Sequence, residues 1–210
     1  MDFTIPYRDI LDFWFGDSGG LEGETDDARG WPPESLRRRW FKSSDAQDAE
    51  IAERFGDRVA AALRRDLVDW EREPGPRLAL ILLLDQLPRM IHRGTPQAFA
   101  GDAQAQALVR QGLELGLEQQ LPAIRQVFVY LVLEHAEELA AQNHAVERFQ
   151  QLLQQCAPSE QKLFADYLDY AERHRQVIQR FGRFPHRNEV LGRSSSADEL
   201  AFLQQPGSRF

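Results

Sequence analysis

A chain of 210 residues with 42% apolar side chains can bury a core of ordinary size, and a single all-helical domain over residues 1–210, with 206–210 as a tail, is expected. The formal net charge of -8 argues against nucleic-acid binding, which rests on broad positive surfaces, and against an anionic membrane surface. The lone Cys156 cannot close an intramolecular disulfide, no stretch approaches the ~20 apolar residues of a membrane span, and the first residues lack a signal-peptide pattern, so a soluble, cytoplasmic protein is expected.

Ile10, Leu11, Trp14 and Phe15 recur at helical spacing after Pro6, and Gly16 ends that first helix. Residues 16–33 read as a polar, glycine-rich loop. Its Gly16-Asp-Ser-Gly-Gly20 segment mimics two serine-nucleophile motifs, but no histidine precedes Ser18 and there is no room for earlier strands, so no catalytic role is expected. Trp14, Phe15, Trp31 and Trp40 are expected in the core, with the wall of a pocket as the alternative. Ser44 with Gln47 forms a capping box that opens a helical region reaching Trp70, with Ile51, Phe55, Val59, Leu63 and Leu67 on its buried face.

Glu73-Pro-Gly-Pro76 then breaks the chain before Leu78 to Leu84, an unbroken apolar run of helical character that must be buried all round. If the helix survives Pro88, then Asp85, Arg89 and His92 share one face. Pro88 cannot donate to the Leu84 carbonyl and its ring crowds that carbonyl, so a kink or a stop is expected there. Thr95-Pro96 is a turn, Asp102 caps a helix through Leu115, and Gly116 and Pro122 close it. Val127 to Leu133 repeats the apolar run and again switches abruptly, here to Glu134-His-Ala-Glu-Glu138. Helices from about Gln142 to Ala157 and from Ser159 to Phe181 follow, and Ser196-Ala-Asp-Glu199 caps a last short one. No segment alternates as a strand does. The sum is an all-α chain of about nine helices.

The sharpest local feature is Arg180-Phe-Gly-Arg-Phe-Pro-His-Arg-Asn188, continuing to Arg193. Between Glu172 and Arg193 six arginines face two acids, a local balance of +4 inside an acidic chain. Gly182 and Pro185 should stop one helix and start another, leaving the N–H groups of His186, Arg187 and Asn188 beside Arg183 and Arg187, a composition suited to an oxyanion. Metal chemistry is disfavoured, since no His-Glu-x-x-His, Glu-x-x-His or Cys/His zinc spacing occurs. A set gathered from separate helices, His92, His135 and His186 with Asp85 or Glu134, is the arrangement left open. No cofactor is expected.

The segments Leu82-Leu-Leu-Asp-Gln-Leu-Pro-Arg89, Arg93-Gly-Thr-Pro-Gln-Ala-Phe99, Leu133-Glu-His-Ala-Glu-Glu-Leu139 and Arg180 to Asn188, with Leu11-Asp-Phe-Trp-Phe-Gly16 and the Trp40-Phe41 pair, resemble the bacterial domain-of-unknown-function family 924. Met90 and Ala136 are small departures from it. The resemblance implies a tetratricopeptide-repeat-like helical array and brings no mechanism with it.

Three functions follow as expectations. The leading one is a binding module for a small anionic ligand or an acidic peptide end, using Asp85, Arg89, His92, Arg93, Arg183, His186, Arg187 and Asn188. The second is a hydrolase acting on a phosphorylated or carboxylated small molecule, with Glu134 or His135 as acid or base, set against pairing of Glu134 with an arginine such as Arg183. The third is a helical-repeat adaptor whose charges lock helices together. The oligomeric state is not legible.

Overall fold

The computed structural model describes residues 7–16, 38–40 and 44–209, and the Ser18 segment, Trp31 and Phe41 lie outside them. Among the described residues there are nine α-helices and no strand, so the all-α expectation holds. They are α1 (Tyr7–Phe15), α2 (Asp45–Leu63), α3 (Pro74–Ile81), α4 (Leu87–Ile91), α5 (Asp102–Glu114), α6 (Ala123–Glu134), α7 (Leu139–Gln155), α8 (Gln161–Phe181) and α9 (Ala197–Leu203). Chain contacts gather them into two compact units, Met1–Arg93 with Gln97–Val129, and Gly94–Pro96 with Tyr130–Phe210.

In the first unit, α1 ends where Gly16 takes φ 94, and its aromatic face is buried. Trp14, Phe15 and Trp40 all meet Phe128 edge-on, at ring-centroid distances of 5.6, 5.3 and 4.8 Å, and the Trp40 indole donates to the Trp14 carbonyl at 2.8 Å. Such edge-to-face pairs add about 0.5–1.5 kcal/mol each beyond their buried area. Ser44 caps α2 by accepting from the Gln47 N–H, but the Gln47 side chain turns away to the Arg39 carbonyl, so only half of the expected box forms.

Helix α2 also stops at Leu63 and does not reach Trp70. Arg65 takes a left-handed φ of 66, and the N–H groups of Arg65 and Asp66 bond the Ala62 and Ala61 carbonyls, both at 3.0 Å. That is a Schellman ending with arginine where glycine is the usual residue, which is why no breaker marks it in the sequence.

The Pro-Gly-Pro segment forms the first turn of α3, with a proline at a position where its missing N–H costs nothing. Leu78 to Leu84 are all buried. The helix neither stops nor simply kinks at Pro88, because residues Leu82–Gln86 widen into a π turn in which the Leu87 N–H reaches the Leu82 carbonyl, and α4 continues beyond it. Against the Leu84 carbonyl, which Pro88 cannot serve, lies Gly101 at the start of α5. A Cβ at that position would stand 2.1 Å from the carbonyl oxygen, so the approach requires glycine. Asp102 is therefore the first residue of α5, following the Gly101 cap, and its carboxylate is used elsewhere.

In the second unit, α7 and α8 pack closely against each other, with Phe149 stacked on Tyr167 at 6.1 Å. Helix α8 carries Phe164, Tyr167, Ala171, His174, Val177 and Ile178 on its buried stripe. It ends where Gly182 takes φ 69.

Candidate functional site

The turn after α8 is pinned by Phe184, which is fully buried against Val177 and Ile178, with Phe181 and Phe202 alongside. Pro185 opens a single 3-10 turn, Pro185–Arg187, in place of a helix. Its N–H groups do not point outward as expected: those of Arg187 and Asn188 bond the Phe184 and Pro185 carbonyls at 3.0 Å each. A three-residue turn also lacks the aligned peptide dipoles that make a helix end attractive to anions.

The positive charge of the stretch is met from inside the same unit. Arg193 grips Glu137 with both guanidinium nitrogens, at 2.5 and 2.8 Å, and the Phe184 N–H donates to the same carboxylate at 2.7 Å. Burial pushes the Glu137 carboxyl up, but Arg193, the Phe184 N–H and Arg187 outweigh it and hold it below the usual range. Arg183 forms the same fork on Glu199, at 2.7 and 2.8 Å, and reaches the Ser194 carbonyl at 2.9 Å. Held by Arg183 against the opposing effect of burial, and further by the Ser196 N–H and Asn188, Glu199 falls to about 2. Glu199 and Ser196 complete a full capping box on α9, so one carboxylate both caps a helix and holds an arginine.

Arg187 donates to the His135 carbonyl at 3.0 Å and lies 4.4 Å over the Phe184 ring. Asn188 is fully buried, accepting from Arg193 and donating to the Ser195 hydroxyl, both at 3.0 Å. His186 is half-buried beside Phe184, and burial and the neighbouring Arg187 charge lower it to about 4 despite Glu137.

The end of α6 faces the same turn. Glu134, buried at 3% exposure, does not meet Arg183; its Oε1 lies 3.0 Å from Nδ1 of His174, which also bonds the Tyr170 carbonyl at 2.8 Å. Burial lowers His174 to about 3 against the opposing pull of the Tyr170 carbonyl, and the neighbouring His135, Arg187 and His186 charges add to the lowering. The buried Gln142 amide donates to the carbonyls of Glu134 and Ala136, at 2.6 and 2.7 Å, sealing the exit of α6. His135 is half-buried and contributes its backbone carbonyl to Arg187.

The remaining four candidates belong to the first unit. Asp85 is fully buried, accepts from Gln86 at 2.7 Å and lies 3.4 Å from Arg89. Arg89 forks onto Asp102 at 2.8 and 3.0 Å; burial works against its charge, but Asp85 and Asp102 more than offset that. Asp85 and Arg89 thus do share a face across Pro88, with His92 half-buried at the helix end. Arg93 is exposed and pairs with Asp48 at 2.9 Å. Among the described residues no three His, Cys, Asp or Glu side chains converge as a metal site would need.

The family model for bacterial proteins of unknown function, number 924, matches residues 10–207. The chain belongs to that family. A solved structure of a protein of unknown function from Agrobacterium tumefaciens is 34% identical, with 94% of this chain and 96% of that one covered and a TM-score of 0.75. No curated protein matches. The carboxylates that hold the arginine turn, Glu137 and Glu199, and the His174 and Gln142 that serve the end of α6, carry no site motif in the sequence, where Glu199 shows only as a helix cap. His174 was findable, since it falls three residues after Ala171 and three before Val177 on the buried stripe of α8. Glu137 was not, because nothing local tells it from Glu138.

Proposed function

We propose that the protein is a non-enzymatic helical adaptor, a single tetratricopeptide-repeat-like domain in the cytoplasm, in which the arginine turn is an internal lock and not a ligand site. The observation that carries this reading is the pairing of Arg193 with Glu137 and of Arg183 with Glu199, since forked guanidinium–carboxylate pairs use the donors an oxyanion would need. Glu134 and His174, the best carboxylate–imidazole pair, are buried at 3% and 5% exposure and contact each other, which speaks against a base that meets substrate. On this reading the arginine turn itself takes no metabolite, and the partner of the adaptor is a protein surface.

The test is a thermal-shift screen of phosphate, sulfate and dicarboxylates on the wild type, Arg183→Ala and Arg187→Ala. A ligand of the folded state at a hundredfold excess over Kd stabilises by about 2.7 kcal/mol, which for a chain of this size is at least about 5 °C. The lock reading expects every anion to shift the wild type and the Arg187→Ala and Arg183→Ala variants equally, as general salt effects do. A rise confined to the wild type would replace the adaptor with the anion-binding module.

A further inference from the structure

The first unit contains a cavity of about 350 Å³ whose floor is Leu67, Leu80, Leu84 and Leu108, each buried. Its size lies in the range of small-molecule sites, ~300–1,000 Å³. Space is left because Ala62 and Ala107 stand where larger side chains would close it. The rim is polar, with Arg65, Glu71, Gln104 and Gln111.

Two features of the rim point to the kind of molecule that enters. Arg65 is, among the described residues, the non-glycine residue with left-handed backbone, a conformation that costs an L-residue about 1–2 kcal/mol. Strain of that sort, retained at the lip of a cavity, motivates a functional reading. Its side chain is 68% exposed and its carboxylate contact is a loose 3.6 Å to Glu71. The second feature is Arg77, buried at 5%, whose guanidinium donates to the Glu71 and Leu108 carbonyls and the Gln111 amide oxygen, all neutral acceptors. Gln111 and Leu108 line the cavity, so this cation stands directly behind its wall. On the rim itself Arg65 and Glu71 cancel in formal charge, and the positive charge beside the apolar floor is that of Arg77 behind the Leu108 and Gln111 wall.

We propose that this cavity binds a medium-chain monocarboxylic acid, with the alkyl chain on the leucine floor and the carboxylate at Arg65. A carboxylate there completes a fork that Glu71 leaves open, and the acyl chain removes the leucine surface from water. This site is independent of the arginine turn, and either reading can stand without the other.

Titration calorimetry with octanoate on the full chain tests it. Binding is expected, with octylamine and butyrate at least tenfold weaker, the first for its charge and the second for its missing chain. Arg65→Gly removes the guanidinium while relaxing the backbone, so it should fold at least as stably and lose tenfold or more in octanoate affinity. Ala107→Phe, at an exposed helical position, should fill the cavity and abolish binding with the unliganded melting point little changed. Absence of octanoate binding, equal binding of octylamine, or unchanged affinity in Arg65→Gly or Ala107→Phe would each overturn the proposal.

Discussion

Two apolar runs of the same kind, Leu78 to Leu84 and Val127 to Leu133, both buried and both followed at once by an acid, come to opposite ends. After the first, the helix goes on: a π turn absorbs Pro88, and Asp85 is satisfied by Gln86 and Arg89 within the next turn. After the second, the helix stops at Glu134, Gln142 takes over its last carbonyls, and the acids Glu134 and Glu137 find partners in His174 and Arg193, 40 and 56 positions away. One switch is closed by neighbours in sequence, the other by distant residues. The difference teaches that an abrupt apolar-to-acidic switch marks where a core ends but says nothing of what meets the acid.

The largest test of the comparison concerns the local junction. Gly101→Ala sets a methyl group 2.1 Å from the Leu84 oxygen, where backbone and not a yielding side chain must move. A loss of about 3 kcal/mol, seen as a melting point lower by about 6–12 °C, is expected. An unchanged melting point would show that the π turn does not need the close approach.

The distant junction should yield less to a single change but reveal coupling. Glu137→Ala strands the Arg193 guanidinium and the Phe184 N–H, at a cost of about 2–3 kcal/mol. Arg193→Ala should cost about as much, and the double variant much less than the sum in a double-mutant cycle. Additive losses would mean that the pair is not a lock.

The smallest effect is a pH slope. His174 and His186 take a proton near 6.5 when unfolded, but only at about 3 and about 4 when folded, so the unfolded chain binds more protons below that point. Their contribution is complete above about pH 6.5 and is lost as pH falls toward 4, by up to about 1.4 kcal/mol per pH unit for each histidine. Glu137 and Glu199, also held low, lose theirs only below about 4.5. Chemical denaturation between pH 7 and 5 should therefore show His174→Gln with a flatter slope than the wild type, and an equal slope would remove His174 from the account.

Sequence spacing alone determined much of this protein: the all-α character, with nine α-helices among the described residues, the two buried runs, the glycine exits at Gly16, Gly116 and Gly182, and the capping box at Ser196. Each depends on side chains within a few residues of one another, where spacing and geometry coincide. Tertiary structure decided the rest. Arg65 ends α2 in a conformation its side chain does not announce, and the π turn at Leu82–Gln86 lies where Gly101 meets Leu84. The excess of arginine near Phe184 was plain in the sequence, whereas its neutralisation by Glu137 and Glu199 was not. The charge of a segment is local, but its nearest opposite charge in space is set by folding, and at close range that neighbour outweighs any sum taken along the chain.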